Sequence, residues 1–265
     1  DAVAELILPQ VIPDVFHRIQ PRAVARQREQ LRSRAAPASP ARYAQGDERI
    51  FAPLDIVAGR FRIIRYLGCG GMGEVYEAED LELHERVALK TVRPEIAADK
   101  GTIARFKREI QLARKVTHPN VCRVFDLAHH TGEKRQVTFL TMELLEGESL
   151  ALRLRRQERM SAAETLEIVD QVAAGLAAAH QAGVVHRDLK GGNIMLTRPG
   201  SGEAGCRAVI TDFGLAHSSG PTAEAATVLP ASAGILGTPA YMAPEQLEGG
   251  PVTAAVDIYA LGVLM

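Results

Sequence analysis

The stretch His186-Arg187-Asp188-Leu189-Lys190-Gly191-Gly192-Asn193, followed by Asp212-Phe213-Gly214, decides how this chain is read. It gathers two carboxylates, a carboxamide and a lysine in positions where one loop can handle a phosphate, a hard cation and a hydroxyl proton.

Working upstream, Gly68-Cys69-Gly70-Gly71-Met72-Gly73-Glu74-Val75 contains Gly-x-Gly-x-x-Gly. In a dinucleotide-binding fold that run opens a helix. Here Val75-Tyr76 and strand-like residues follow, so a hairpin is expected, with glycines that let backbone N–H groups approach phosphates closely. Phe61–Leu67, Val75–Ala78 and Val87–Val92 read as strands around a polar turn at Glu82–Glu85. A helix is expected over Thr102–Val116, with Ile103, Phe106, Ile110 and Ala113 on one face and His118-Pro119 ending it. Val121–Leu127 and Val137–Met142 then complete a five-stranded, mostly antiparallel sheet. After Gly147 the pattern turns helical. Ser161 and Glu164 form a capping box, Leu166, Val169, Ala173 and Leu176 continue the apolar face, and Gly183 suits the C′ position. The fold class is α+β, a small sheet lobe before a mainly helical one.

Composition narrows the function. Apolar residues make up 46% of the 265, enough for real cores. The 31 basic and 32 acidic residues nearly cancel, so no nucleic-acid partner is indicated. Cys69, Cys122 and Cys206 lie far apart, which argues against a zinc or disulfide framework and for a reducing, cytoplasmic setting. No apolar run reaches membrane-spanning length, although flanking sequence leaves tethering open. The chain starts at Asp1 and stops within an apolar helical pattern at Met265, so a longer protein is expected. Residues 1–59 read as an arm and linker, with an arginine-rich helix over 14–34 and a break at Pro37 and Pro40. The folded domain is expected over 60–265, divided at 146/147. His180, His129-His130 and Arg153-Arg155-Arg156 are taken as structural or solvated.

With Val87-Ala88-Leu89-Lys90 upstream and Ala243-Pro244-Glu245 downstream, the order of motifs resembles the eukaryotic-like protein kinase family of bacterial type, from Arg60 to Met265. The resemblance implies a bilobal kinase fold, ATP and Mg²⁺ (or Mn²⁺) as cofactors, and a protein substrate with a Ser or Thr acceptor. Asp188 becomes the catalytic base, Lys190 a γ-phosphate contact, and Asn193 and Asp212 the metal ligands. Lys90 binds the α- and β-phosphates and takes Glu109 as its anchor. The nucleotide is covered by Leu67, Gly68, Cys69, Gly70, Gly71, Met72, Gly73 and Glu74. Val75 and Ala88 roof the adenine, and Met195 forms its floor. Met142 is the gatekeeper, and the backbones of Glu143 and Leu145 read the adenine edge. His186 and Phe213 align the loop by packing, Asp257 pins its backbone, and Thr238 bonds Asp188 and Lys190. Gly191-Gly192 replaces the family's usual proline, removing no reactive group. The resemblance also implies self-association for trans-autophosphorylation, with Thr227 and Ser232 as sites beside Arg187. A nucleotide-binding pseudokinase scaffold and a small-molecule phosphotransferase are the alternatives. The scaffold typically lacks Lys90, Asp188 or Asp212, and the phosphotransferase lacks the Ala-Pro-Glu segment.

Overall fold

The computed structural model describes residues 49–70, 73–94, 100–132, 136–157, 159–198, 205–213 and 239–265. The arm helix expected over 14–34, Gly71 and Met72 of the glycine run, and residues 214–238 with Thr227, Ser232 and Thr238 lie outside them.

Strands β1 (Ile56–Val57), β2 (Phe61–Gly70), β3 (Gly73–Asp80), β4 (Glu85–Val92), β5 (Val124–Thr131) and β6 (Gln136–Glu143) pair in the order β1-β2-β3-β4-β6-β5. Every pairing is antiparallel. The pleat explains the alternation: Phe61 and Ile63 face inward while Arg62 faces water. The sheet thus has six strands rather than five. The extra strand comes from residues expected in the linker, because Phe51 and Val57 are apolar and join Phe61, Ile63, Tyr76, Leu89 and Phe139 in one buried cluster. Leu54 donates to the Ile63 carbonyl at 2.8 Å, and Ile63 to that of Asp55 at 2.9 Å. The small lobe therefore begins well before Arg60. Two buried carboxylates fix its turns and faces. Asp80 takes both arms of Arg60 at 2.9 and 2.6 Å, while Glu77 takes Arg65 at 2.6 Å and Arg86 at 2.7 Å.

Helix α1 (Lys100–Ala113) lays Phe106 and Ile110 against Val92 and Leu140. It ends before the expected Val116 because the chain tightens to i→i+3 bonds, Lys115 to Leu112 at 3.0 Å and Val116 to Ala113 at 3.1 Å. The fifth strand is also displaced from the expected Val121–Leu127. Val121 forms a parallel bridge to Ile210 instead. Cys122 donates to the Ile210 carbonyl at 2.8 Å and Ile210 to that of Asn120 at 2.9 Å, so these residues tie the lobes together.

The second lobe contains β7 (Gly147–Ser149), α2 (Leu150–Gln157), α3 (Ala162–Gln181), β8 (Ile194–Thr197), β9 (Arg207–Ile210), α4 (Pro244–Leu247) and α5 (Ala255–Leu264). The antiparallel sheet β7-β8-β9 was not legible in a region read as helical. Helix α3 has both expected ends. Ser161 accepts from the Glu164 N–H at 3.2 Å, and Glu164 returns the bond to the Ser161 N–H at 3.1 Å. At the other end Gly183, at φ 76°, lets Val184 reach the Ala179 carbonyl at 2.9 Å. Leu189 and Phe213 are buried with Leu176, Ile194, Ile210 and Leu261, so the loop bearing the candidate chemistry is rooted in the core.

Candidate active site

The run from His186 to Asn193 is held mainly by buried acceptors. The Asp257 carboxylate on α5, only 1% exposed, accepts the His186 N–H at 2.8 Å and the Arg187 N–H at 2.7 Å. His180 on α3 adds a third contact to it at 2.7 Å, which is the structural role expected for that histidine. The His186 ring lies 4.8 Å from the Phe213 ring, with Nε2 2.9 Å from the Thr211 carbonyl. These bonds hold Arg187 at φ 67° and Asp212 at φ 63°, left-handed conformations that cost about 1–3 kcal/mol each in a non-glycine residue. The loop then converges on Asp188. Lys190 Nζ stands 2.7 Å from its Oδ2, and the Asn193 amide donates to its carbonyl at 2.9 Å and its Oδ2 at 3.3 Å. Gly191 allows this path, since a Cβ there would lie 3.2 Å from the Ala151 nitrogen.

Lys90 enters from β4 with its side chain 5% exposed and its ammonium 2.6 Å from Asp212 Oδ1. Burial pushes the Asp212 carboxyl up, but the charge and hydrogen bond of Lys90, with the charge of Lys190 beyond, outweigh it and hold Asp212 below the ordinary carboxylate range. The expected anchor is not the partner here. Glu109 on α1 pairs instead with Arg187 at 3.2 Å. A buried ammonium needs a close carboxylate and Asp212 supplies one, while Arg187, fixed through its backbone to Asp257, engages Glu109. Glu109 thus holds a partner different from the one the resemblance implied.

The hairpin β2–β3 and the strand carrying Lys90 are in register: Val75 lies opposite Lys90, and Ala88 opposite Met142. Leu67, Gly68, Cys69 and Gly70 belong to β2, with Cys69 opposite Glu74. Gly73 is required, since at φ 152° a Cβ would meet the Thr91 carbonyl at 2.1 Å. Cys69 is exposed, and its hydrogen bond, with burial, pushes the Tyr66 phenol up to about 12. Met195 on β8 pairs with Ser149 at the start of the second lobe. In the connection between lobes, Glu143 donates its N–H to the Arg123 carbonyl at 2.9 Å and pairs its carboxylate with Arg207 at 3.0 Å. Leu145 follows in the same connection, and Gly147 closes it, where a Cβ would lie 2.1 Å from the Leu196 carbonyl.

Donor chemistry fits a hard divalent cation with phosphate. Lys90 engages Oδ1 of Asp212, and Asn193 uses its amide nitrogen on Asp188, which leaves amide and carboxylate oxygens as hard donors. No group of three or more His, Cys, Asp or Glu stands together among the described residues, so phosphate oxygens would have to complete the shell.

Other charges differ from expectation. Arg153 and Arg156 are not merely solvated: both pair with Glu148, at 2.6 and 2.8 Å. His130 Nδ1 accepts the Ala58 N–H at 3.0 Å, and His129 Nδ1 meets the Thr138 hydroxyl at 3.0 Å, so neither is a free surface histidine. Sequence reading missed Gln246, next to Ala243-Pro244-Glu245. Its amide donates to the Arg187 carbonyl at 2.9 Å and its oxygen accepts the Ala243 N–H at 3.1 Å, joining that segment to the loop. Its place beside the motif was the available signal.

Residues 61–265 match the family model described as protein kinase domain. The chain is 40% identical over 209 residues to the serine/threonine-protein kinase pkn2 of Myxococcus xanthus, covering 79% of this chain and 24% of that protein. It is 37% identical over 209 residues to PrkC of Bacillus subtilis, covering 79% and 30%. The chain thus spans less than a third of the length of these relatives. The solved PknI kinase domain of Mycobacterium tuberculosis superposes with a TM-score of 0.61 at 31% identity, covering 80% of this chain and 74% of that one.

Proposed function

The chain belongs to the protein kinase family, and from that premise we propose that it transfers the γ-phosphate of ATP to Ser or Thr hydroxyls of protein substrates, itself included. The observation that carries this reading is the convergence on Asp188: Lys190 and Asn193 both reach its carboxylate, at 2.7 and 3.3 Å. Asp188 orients the acceptor hydroxyl and takes its proton as the new P–O bond forms. Lys190 steadies the transferring phosphate, and the Ser/Thr preference follows from its place two residues after that base. Lys90 binds the α- and β-phosphates, and the glycine hairpin covers them. Asn193 and Asp212 are the residues that would hold Mg²⁺ or Mn²⁺, which when bound neutralises charge on the β- and γ-phosphates.

The scaffold reading is not favoured, because Lys90, Asp188 and Asp212 are all present. Neither is the small-molecule phosphotransferase, because the relatives above are named serine/threonine-protein kinases. No helix among the described residues is long and apolar enough to cross a membrane. Work in the cytoplasm and self-association for trans-phosphorylation belong to the same proposal. Incubation with labelled ATP and a generic protein acceptor tests it. Label on Ser and Thr, lost in Lys90→Met, is expected; nucleotide binding without transfer would establish the scaffold instead.

A further inference from the structure

Residues 49–51 precede the stretch matched by the family model, yet they hold both strands of the glycine hairpin. The Arg49 guanidinium lies over the Tyr66 ring on β2, 4.7 Å from its centroid. The Ile50 N–H donates to Glu74 Oε2 on β3 at 3.0 Å. The Phe51 N–H donates to the Tyr76 hydroxyl at 3.1 Å, and that hydroxyl donates in turn to the same Glu74 oxygen. The Phe51 ring is 5% exposed and packs edge-on against Tyr76, at 5.6 Å between centroids.

We propose that Arg49–Phe51 form a clasp that fixes the glycine hairpin in its nucleotide-binding shape, so that Arg49, Phe51, Glu74 and Tyr76 are positioning residues for ATP. The proposal rests on the reading of that hairpin as the phosphate cover.

Packing alone would need only the Phe51 ring. The polar contacts do something more specific: they converge on one carboxylate adjoining Gly73. The Glu74 backbone is gripped from the opposite side, where its N–H donates to the Thr91 hydroxyl at 2.9 Å. Glu74 is thus fixed between β4 and the clasp. Its side chain shares a strand face with the buried Tyr76, where a carboxylate needs donors. Two donors on Oε2, the Ile50 N–H of the clasp and the Tyr76 hydroxyl that the Phe51 N–H holds, fix that carboxylate. Burial, and next the Glu74 contact, push the Tyr76 phenol well above its ordinary range, so it remains a donor wherever the protein functions. Without the clasp, Glu74 loses the Ile50 donor, the Tyr76 hydroxyl loses the Phe51 N–H that orients it, and the root of the hairpin gains freedom.

The test uses the whole chain carrying Tyr76→Phe, which keeps the ring in the core and removes only the relay hydroxyl. Phe51→Ala, Arg49→Ala and Arg49→Lys accompany it. Amide hydrogen exchange is followed over Tyr66–Gly70 and Gly73–Tyr76, beside ATP titration and steady-state kinetics. Tyr76→Phe is expected to speed hairpin exchange and to raise both Kd and KM for ATP about three- to tenfold, with kcat within about twofold, the scale of one lost structural hydrogen bond. Arg49→Ala is expected to act in the same direction more weakly, and Arg49→Lys to restore binding. Unchanged exchange in Tyr76→Phe overturns the clasp, as does faster exchange with unchanged ATP affinity. A wild-type chain that binds no ATP removes the kinase reading together with the clasp, whereas normal wild-type binding beside unaltered variants removes the clasp alone.

Discussion

The loop His186–Asn193 and helix α1 face each other across the candidate site, and they are held by opposite means. The loop is fixed by short bonds to buried acceptors: Asp257 takes two of its N–H groups at 2.8 and 2.7 Å, and the His186 ring sits on Phe213. Helix α1 is held by apolar contact of Phe106 and Ile110 with the sheet, and it meets the loop through one half-exposed ion pair, Glu109–Arg187 at 3.2 Å. Directional bonds define a unique geometry, whereas apolar packing tolerates sliding and re-pairing. The loop therefore carries the groups whose placement the chemistry cannot relax. The helix carries the one acid whose partner differs from the one the family resemblance implied.

The largest expected effect probes the loop's chemistry without touching its shape. Asp188→Asn is nearly isosteric and keeps acceptors for Lys190 and Asn193, so the loop should persist while the base is lost. Phosphoryl transfer is expected to fall about 10²–10⁴-fold, with ATP affinity within about twofold by titration. A variant that transfers at near wild-type rate would sink the assignment of the base.

Asp257→Ala attacks the fixing instead. It strips the buried His186 N–H, the partly buried Arg187 N–H and His180 of their acceptor, and each unsatisfied group costs about 1–3 kcal/mol, so a stability loss of about 3–5 kcal/mol is expected in chemical denaturation. A loss below about 1 kcal/mol would mean that the loop is held elsewhere and that the contrast with α1 is misdrawn.

Lys90→Met tests the ion pair that joins the two lobes beside that loop. Asp212 has a depressed pKa in the folded chain. Its ionised form therefore contributes stability that is complete above the unfolded value, about 3.9, and that fades as pH falls through the depressed folded value. Removing the ammonium leaves burial dominant, so the carboxyl should move upward. The stability difference between wild type and variant is expected to be about 1–2 kcal/mol near neutrality, reduced by the 31% exposure of Asp212, and to shrink below about pH 4. A gap independent of pH from 7 to 3 would show that Lys90 acts by packing alone.

How much of this was legible follows the same division. Strand alternation in Phe61–Leu67, the short buried run Val87–Val92 and the capping box of α3 are local signals, and they placed their elements within a few residues. Phe51 was hidden because it falls within residues 1–59, read as arm and linker, and its packing partner Tyr76 lies 25 residues further on. Val121 and Cys122 were expected to start a strand, but Val121 bridges Ile210 and the Cys122 N–H donates to the Ile210 carbonyl, a partner far along the chain that no local pattern encodes. Position likewise marks Lys90 as needing an acid. It does not choose between Glu109 and Asp212, because that choice depends on where a separately packed helix comes to rest. Gln246 has no periodic signature, and only its bond to the Arg187 carbonyl shows what it joins.

The smallest expected effect bears most directly on the contrast. Glu109 and Arg187 are 24% and 35% exposed, so water screens their attraction and side-chain ordering offsets part of it. A double-mutant cycle of Glu109→Gln and Arg187→Gln should return a coupling of about 0.5–1 kcal/mol, falling as salt rises. The loop should not rearrange when the pair is cut, because the Arg187 backbone stays on Asp257 at 2.7 Å and its carbonyl on Gln246 at 2.9 Å. Exchange protection of the His186 and Arg187 amides is therefore expected to survive in Arg187→Gln, while amides of Thr102–Ile110 lose protection about twofold to fivefold, the scale of one weak contact. A coupling above about 3 kcal/mol would belong to a buried, obligatory pair. Helix α1 would then be fixed as firmly as the loop it faces, and the pairing of Glu109 with Arg187 would be a second built-in restraint rather than an exchangeable one.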